Sequence, residues 1–223
     1  MGADCPCDNF RSSWIYHACL VGLPPFVFAE PLMNLNTAIK RVQEFRDFIE
    51  SRPELGVIFQ EPATKRQIKQ FESQYDWEFE PEVRALLLVF NGEDSRRSRG
   101  SCAGYNFCSM EMMLSVFGMG EDCANQFHRP PHYAPFLTQE NSWRPDWMPI
   151  AETQLGCNAV YIDYLPSKHG KVGQIFSRAD SHDISGVKAV GVMNLLDIIS
   201  AHVEKHNEMP YFDTGLPSIL KTS

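Results

Sequence analysis

From Asn34 onward the apolar residues fall into a helical rhythm, and in the second half of the chain they gather into short strand-like runs. Leu35, Ala38, Ile39, Val42, Phe45 and Ile49 recur three and four apart, with Lys40, Arg41, Glu44 and Asp47 between them. That spacing puts the apolar set on one face of a helix that ends before Pro53. A second helix follows Pro62-Ala63-Thr64. There Thr64 and Gln67 have capping-box spacing, and Ile68, Phe71 and Tyr75 line one face. Glu80-Pro81 opens a third, because proline at the first helical position gives up an N–H that has no partner there anyway. Val83, Leu86, Leu87 and Phe90 form its stripe, and Asn91-Gly92 supplies a residue able to take positive φ at its end.

Beyond this turn the pattern shortens. Residues 93–104 read as a polar loop and Tyr105-Asn106-Phe107 as a short strand. Ser109 is placed to cap a short helix through Met112, Met113 and Val116, whose methionines read as core filler rather than a cofactor or metal box. His128 to Pro149 carries prolines at 130, 131, 135, 145 and 149 and reads as a long surface loop. Residues 159–164 and 172–177 read as an antiparallel strand pair split by Pro166 and Gly170, and 187–192 as a third strand. A last helix carries Val192, Leu195, Leu196, Ile199 and Val203. Helices, then strands, then a closing helix predict an α+β fold, a mostly antiparallel sheet packed against helices. The expected divisions are an irregular arm over 1–33, one domain over 34–207 and a tail over 208–223. The expected core includes Ile39, Phe71, Leu86, Leu87, Ile162, Leu196 and Ile199.

Charge narrows the function classes. The 223 residues carry a net charge of -8. Nucleic-acid binding needs clustered Lys and Arg against phosphate, so this balance argues against it. The one short basic run, Arg96, Arg97 and Arg99, follows Glu93 and Asp94 and reads as a solvated loop. An acidic surface suits a basic partner and speeds encounter with it. Cys5, Cys7, Cys19, Cys102, Cys108, Cys123 and Cys157 are odd in number and include no CxxC, which favours reduced thiols and a cytoplasmic setting over a disulfide framework or zinc knuckle. The apolar stretch from Trp14 to Ala29 lacks the basic start of a signal peptide and is broken by Pro24 and Pro25. No run reaches the length of a membrane span.

The sequence carries no motif that marks a catalytic, cofactor or metal set. His202 and His206 stand four apart on a helix, but Val203 occupies the position where a zincin has Glu. His128 and His132 flank Pro130-Pro131 with no evident third ligand, and Cys157 has no histidine neighbour in sequence. Asp163 sits between Ile162 and Tyr164 in an apolar strand. A carboxylate there must be hydrogen-bonded, paired or turned to water. It reads either as a capped strand-edge aspartate or as a polar spot in a partner-binding groove.

Several of these pieces also stand in a familiar order. Pro62-Ala63-Thr64 leads to Ile68 and Glu72, and Val83 to Leu87 lead to Asn91-Gly92. Trp143 and Trp147 precede Pro149-Ile150, and Tyr161-Ile162-Asp163 is followed by Gly173-Gln174-Ile175, Val190 and the helix from Leu195. Over about residues 36–205 this set resembles the SUKH superfamily, which includes bacterial immunity proteins, fungal cell-wall-assembly regulators and viral relatives. It departs from the usual pattern at Glu80-Pro81 and at the turn Gly156-Cys157-Asn158. The resemblance implies an α+β binding scaffold without catalysis. For bacterial members it implies neutralising a toxin, often a nuclease, and for fungal members a regulatory interaction in cell-wall glucan synthesis.

The expected partner is therefore a protein, a basic toxin domain among the candidates, with no nucleic acid, membrane or cofactor. The resemblance joins Asn91, Gly92, Glu93, Asp94, Trp147 and Asp163 into an expected binding face. Tryptophan is enriched among residues that dominate interface energy. Trp147 as a core residue is the competing reading. An immunity-type protein, a regulatory adaptor and a hydrolase with a site built from distant residues are the three functions carried forward.

Overall fold

A computed structural model describes residues 33–75, 77–126, 134–138, 144, 146–153, 158–178 and 184–220, with backbone alone for 120–126. The arm before Met33, His128, His132, Trp143 and Cys157 lie outside the described residues. Helix α1 (Leu35–Glu50) starts where the rhythm starts, with the Asn34 side chain accepting from the Asn36 N–H at 2.8 Å. It buries Ala38, Val42, Phe45 and Ile49. Ile39, expected in the core, is only half-buried, because Ala38 and Val42 occupy the centre of the stripe and Ile39 lies on its flank.

Helix α2 (Lys65–Tyr75) begins in the expected capping box. Thr64 Oγ1 accepts from the Gln67 N–H at 3.2 Å, and Gln67 Oε1 accepts from the Thr64 N–H at 2.8 Å. Helix α3 (Pro81–Val89) has proline at its first turn and packs along α1. It does not end through a left-handed cap: Phe90 is extended, and the positive φ (83°) comes two residues later at Gly92.

Five strands form an antiparallel meander in sequence order: β1 (Asn106–Phe107), β2 (Trp147–Glu152), β3 (Ala159–Asp163), β4 (Gln174–Arg178) and β5 (Ala189–Val190). The fold is α+β. Strand β2 begins inside the stretch read as a proline-rich loop, whose expected end is Pro149. Pro149 cannot donate to a ladder, and the register shifts between Pro149 and Ala151, so an irregularity absorbs it. Helix α4 (Met110–Gln126), packed on β2, is longer than its sequence suggests.

The three long strands are buried on both faces, which removes the polar alternation a half-exposed strand would show. One face carries Trp147, Tyr161 and Phe176 in mutual ring contact, with Phe136 against Phe176. Met148, Val160, Ile162 and Ile175 alternate with them on the other face. Helix α5 (Val192–His206) buries Val192, Leu195, Leu196, Ile199 and Val203 and lies against α1 and α3.

Residues 208–220, read as an irregular tail, are held against the domain. Phe212, in the short helix α6 (Phe212–Gly215), is buried and donates its N–H to Ala103 O at 2.8 Å. Lys188 Nζ donates to Asp213 O, Leu216 O and Ser218 Oγ at 2.9, 3.0 and 3.1 Å. Tyr105 Oη donates to Asp213 Oδ2 at 3.0 Å, and the Ser177 hydroxyl bonds the other carboxylate oxygen. Burial pushes Lys188 below the usual ammonium range.

Candidate interaction face

The expected binding residues divide into two groups. Asn91 to Asp94 form a turn beside β1, where the Glu93 N–H donates to Phe107 O at 3.0 Å. Trp147 faces Asp163 in the β2–β3 register, whereas Phe107 faces Ala151, four residues along β2. At about 3.3 Å per residue the groups stand about 13 Å apart along the strand. The structure brings together the members of each group, and it does not merge the groups into one continuous face.

Most of these side chains work inside the fold. Asn91 Oδ1 accepts from the Met110 N–H at 3.1 Å, capping α4. Gly92 has φ +83°, and a Cβ there would sit 2.4 Å from Ser109 N, so both conformation and space demand glycine. Glu93 is 2% exposed. Its carboxylate accepts from the Ser101 N–H at 3.0 and 3.2 Å, Ser101 Oγ at 2.7 Å, the Phe107 N–H at 3.0 Å, and the Ser98 hydroxyl. The loop 93–107 is therefore wrapped around a buried carboxyl group, and is not the solvated polar loop its composition suggests. Burial pushes the Glu93 carboxyl above its usual range, against the pull of these donors.

Asp94 is the partly exposed acid of the turn. Its Oδ1 accepts from the Arg96 N–H at 3.1 Å, and its other oxygen lies 4.0 Å from Arg97. Arg96, Arg97 and Arg99 are exposed, as expected of a solvated run. Arg99 lies along Gly56, where an added Cβ would come within 2.9 Å of it, and its N–H donates to Gly56 O.

Trp147 is 1% exposed and Asp163 fully buried. Neither side chain has surface to give a partner in this state, which corrects the expectation of direct contact by Glu93, Trp147 and Asp163. Trp147 fills the aromatic face of the sheet, the competing reading. Asp163 Oδ1 accepts from the Leu165 N–H at 3.0 Å, Oδ2 from Gln174 Nε2 at 2.8 Å, and its carbonyl from the Gly173 N–H at 2.8 Å. It thereby ties both ends of the loop between β3 and β4. Burial raises its pKa to about 7. Glu80 is raised to about 7 by burial, then by Glu82 beside it, while a hydrogen bond with Tyr164 lowers it.

Sequence reading missed that loop's outer surface. Leu165, Lys168, His169, Lys171 and Val172 are all exposed. The signal was present as Lys168, His169 and Lys171 flanked by Leu165 and Val172, in a stretch that also carries the turn formers Pro166 and Gly170.

The His202 and His206 rings meet at 4.5 Å, tilted by 39°, on α5, and burial, then His206, lower the His202 pKa. Among the described residues no group of three or more His, Cys, Asp or Glu is arranged to hold a metal. Among them too, no helix is long and apolar enough to cross a membrane. Cys102 and Cys108 are free, buried thiols whose pKa burial pushes up, which suits inert core residues.

Compared with known families, residues 62–189, more than half of the chain, match the model of the SMI1 / KNR4 family (SUKH-1). A comparison with curated proteins finds no match.

Proposed function

The chain belongs to the SMI1 / KNR4 family (SUKH-1), and from that premise we propose that it is a non-enzymatic protein-binding module of the immunity type, neutralising a toxin by direct binding in the cytoplasm. The observation that carries this reading is the Glu93 loop. A buried carboxylate with four donor groups rigidifies a surface segment and leaves Asp94 and the edge of Asn91 at its rim. Holding a loop in one conformation before binding lowers the entropic cost of association. Asp94 and Asn91 meet the partner, while Gly92 and Glu93 act from beneath. Trp147 and Asp163 do the same for the other end of the sheet. The net charge of -8 adds long-range attraction for a basic toxin domain.

A regulatory adaptor of the fungal cell-wall type is the second reading, favoured by the same family match. The test is capture of partners from the native host by the full chain, followed by titration of each purified partner. Stoichiometric binding that abolishes the partner's own activity supports immunity. Binding that leaves that activity intact but alters its regulation or location supports the adaptor. Turnover of a partner or small substrate by the chain itself overturns both. Asp94→Lys should weaken binding to a basic partner and slow association at low salt, while the chain stays folded with at most a small fall in the urea midpoint from the lost Arg96 N–H bond.

A further inference from the structure

Few large apolar side chains remain exposed among the described residues, and two of them share one short loop. Leu165 is 50% and Val172 43% exposed, and both belong to the connection between β3 and β4. Between them stand Lys168, His169 and Lys171, all exposed. Residues 164–178 contain no Asp or Glu. Among the described residues neither lysine has an ion-pair partner. A chain of net charge -8 thus carries, in this loop, an exposed segment of opposite sign with an apolar residue near each end.

The segment is rigidly built. Asp163 and Gln174, both fully buried, face each other in the β3–β4 register and are hydrogen-bonded. Gln174 also donates to Phe136 O at 2.9 Å and accepts from the Lys171 N–H at 3.1 Å. The Ser167 N–H donates to Phe136 O, its hydroxyl to Pro135 O, and the His169 N–H returns to that hydroxyl at 3.1 Å. Gly170 lies so close to Phe136 O that a Cβ would come within 2.5 Å. Leu165 and Val172 are held in water by buried groups instead of folding back onto the core. Exposed apolar groups fixed in place beside charge of one sign are the anatomy of a recognition surface.

We infer that the β3–β4 loop is a docking tip for an acidic protein surface, with Leu165 and Val172 entering an apolar patch and Lys168 and Lys171 meeting carboxylates around it. This assignment presupposes the protein-binding reading above and adds a second surface, opposite in sign to the Asp94 turn. Charge complementarity selects the occupant. A protein partner can meet the tip alone, whereas an anionic bilayer presents a plane of charge to the whole acidic chain and repels most of it.

The test is to titrate the isotope-labelled full chain with three peptides: alternating Glu and Leu, Gln and Leu, and Lys and Leu. Vesicles of equimolar phosphatidylserine and phosphatidylcholine form a fourth arm. Backbone amide shifts are followed throughout. The Glu peptide alone should move the amides of 165–173, with binding that fades as salt rises. The K168E/K171E double variant should lose affinity by at least about tenfold, the scale of two exposed pairs turned repulsive. L165S/V172S should weaken it as well. No shifts at 165–173, equal response to all three peptides, or unchanged affinity in K168E/K171E overturns the assignment. Vesicle binding without peptide binding also overturns it, in favour of a lipid surface. If a native partner is captured equally by the parent and by K168E/K171E, the tip is refuted while the protein-binding reading stands. If the parent captures nothing while the Glu peptide binds the tip, the broader reading has failed and the tip has not.

Discussion

Glu93→Ala tests whether one buried acid organises the loop 93–107. The change removes the common acceptor of two backbone donors, the Ser101 and Phe107 N–H groups, and of two serine hydroxyls. The hydroxyls can rotate, and Ser98 Oγ already accepts from the Ile58 and Gly100 N–H groups at 3.2 and 3.3 Å. The backbone donors cannot turn away. An orphaned buried donor costs about 1–3 kcal/mol, so two of them cost about 2–6 kcal/mol. Relief of the carboxylate's own burial offsets part of this, which leaves an expected loss of about 2–4 kcal/mol. Urea unfolding at neutral pH measures it. Hydrogen exchange at the Ser101 and Phe107 amides localises it, since both should lose protection before the β2–β3 ladder does. Glu93→Gln keeps an oxygen for those amides and should cost less than half as much. A loss below about 1 kcal/mol for Glu93→Ala, with both amides still protected, would refute the reasoning, because water would then be replacing the acid.

Leu87→Ala should cost about 2–5 kcal/mol in urea unfolding, as the side chain is buried; a change below about 0.5 kcal/mol would show that the α3 stripe faces elsewhere. Gly92→Ala should destabilise by more than about 1 kcal/mol, because the new methyl group meets the Ser109 backbone and φ is +83°. Stability should also fall as pH rises from about 4 to about 7 and level off above that. Asp163 and Glu80 titrate at about 7 when folded against 3.8 and 4.5 when free, so the folded chain holds more protons between those values. Their contribution is complete below the free values and is lost as pH rises through about 7. Asp163→Asn and Glu80→Gln should each flatten that decline in the urea midpoint, and a parent-like slope in both variants would contradict the assignment.

How far the fold was legible depended on whether a residue's neighbours were close in sequence. The starts of α1, α2 and α3 were readable because Asn34, the Thr64–Gln67 pair and Pro81 act within one helical turn. Strand β2 was hidden because a proline at its centre signals a loop, and only pairing with Tyr161 of β3 makes room for it. The packing of 208–220 was hidden for the same kind of reason. It rests on Lys188, Tyr105 and Ser177, up to about a hundred residues away, and no local period records such contacts.

The candidate site shows where that limit bears on function. Asp163 was singled out because a carboxylate in an apolar strand must be satisfied, and it is. Sequence alone could not say by what. Its partners, Gln174 and the Leu165 N–H, turn it from a contact residue into the brace of a neighbouring loop. Glu93 follows the same logic at the other end of the sheet, where its donors come from residues five to fourteen positions later. In both places the conspicuous polar residue is buried, and the chemistry open to a partner belongs to less conspicuous residues it holds in position: Asp94 in one loop, and Leu165, Lys168, Lys171 and Val172 in the other. A binding scaffold that discriminates partners by shape needs such loops rigid before the encounter, because ordering them on contact would cost about 0.5–1.5 kcal/mol per immobilised side chain. Among the described residues neither acid stands in an ion pair, and the burial of both is intelligible on that account.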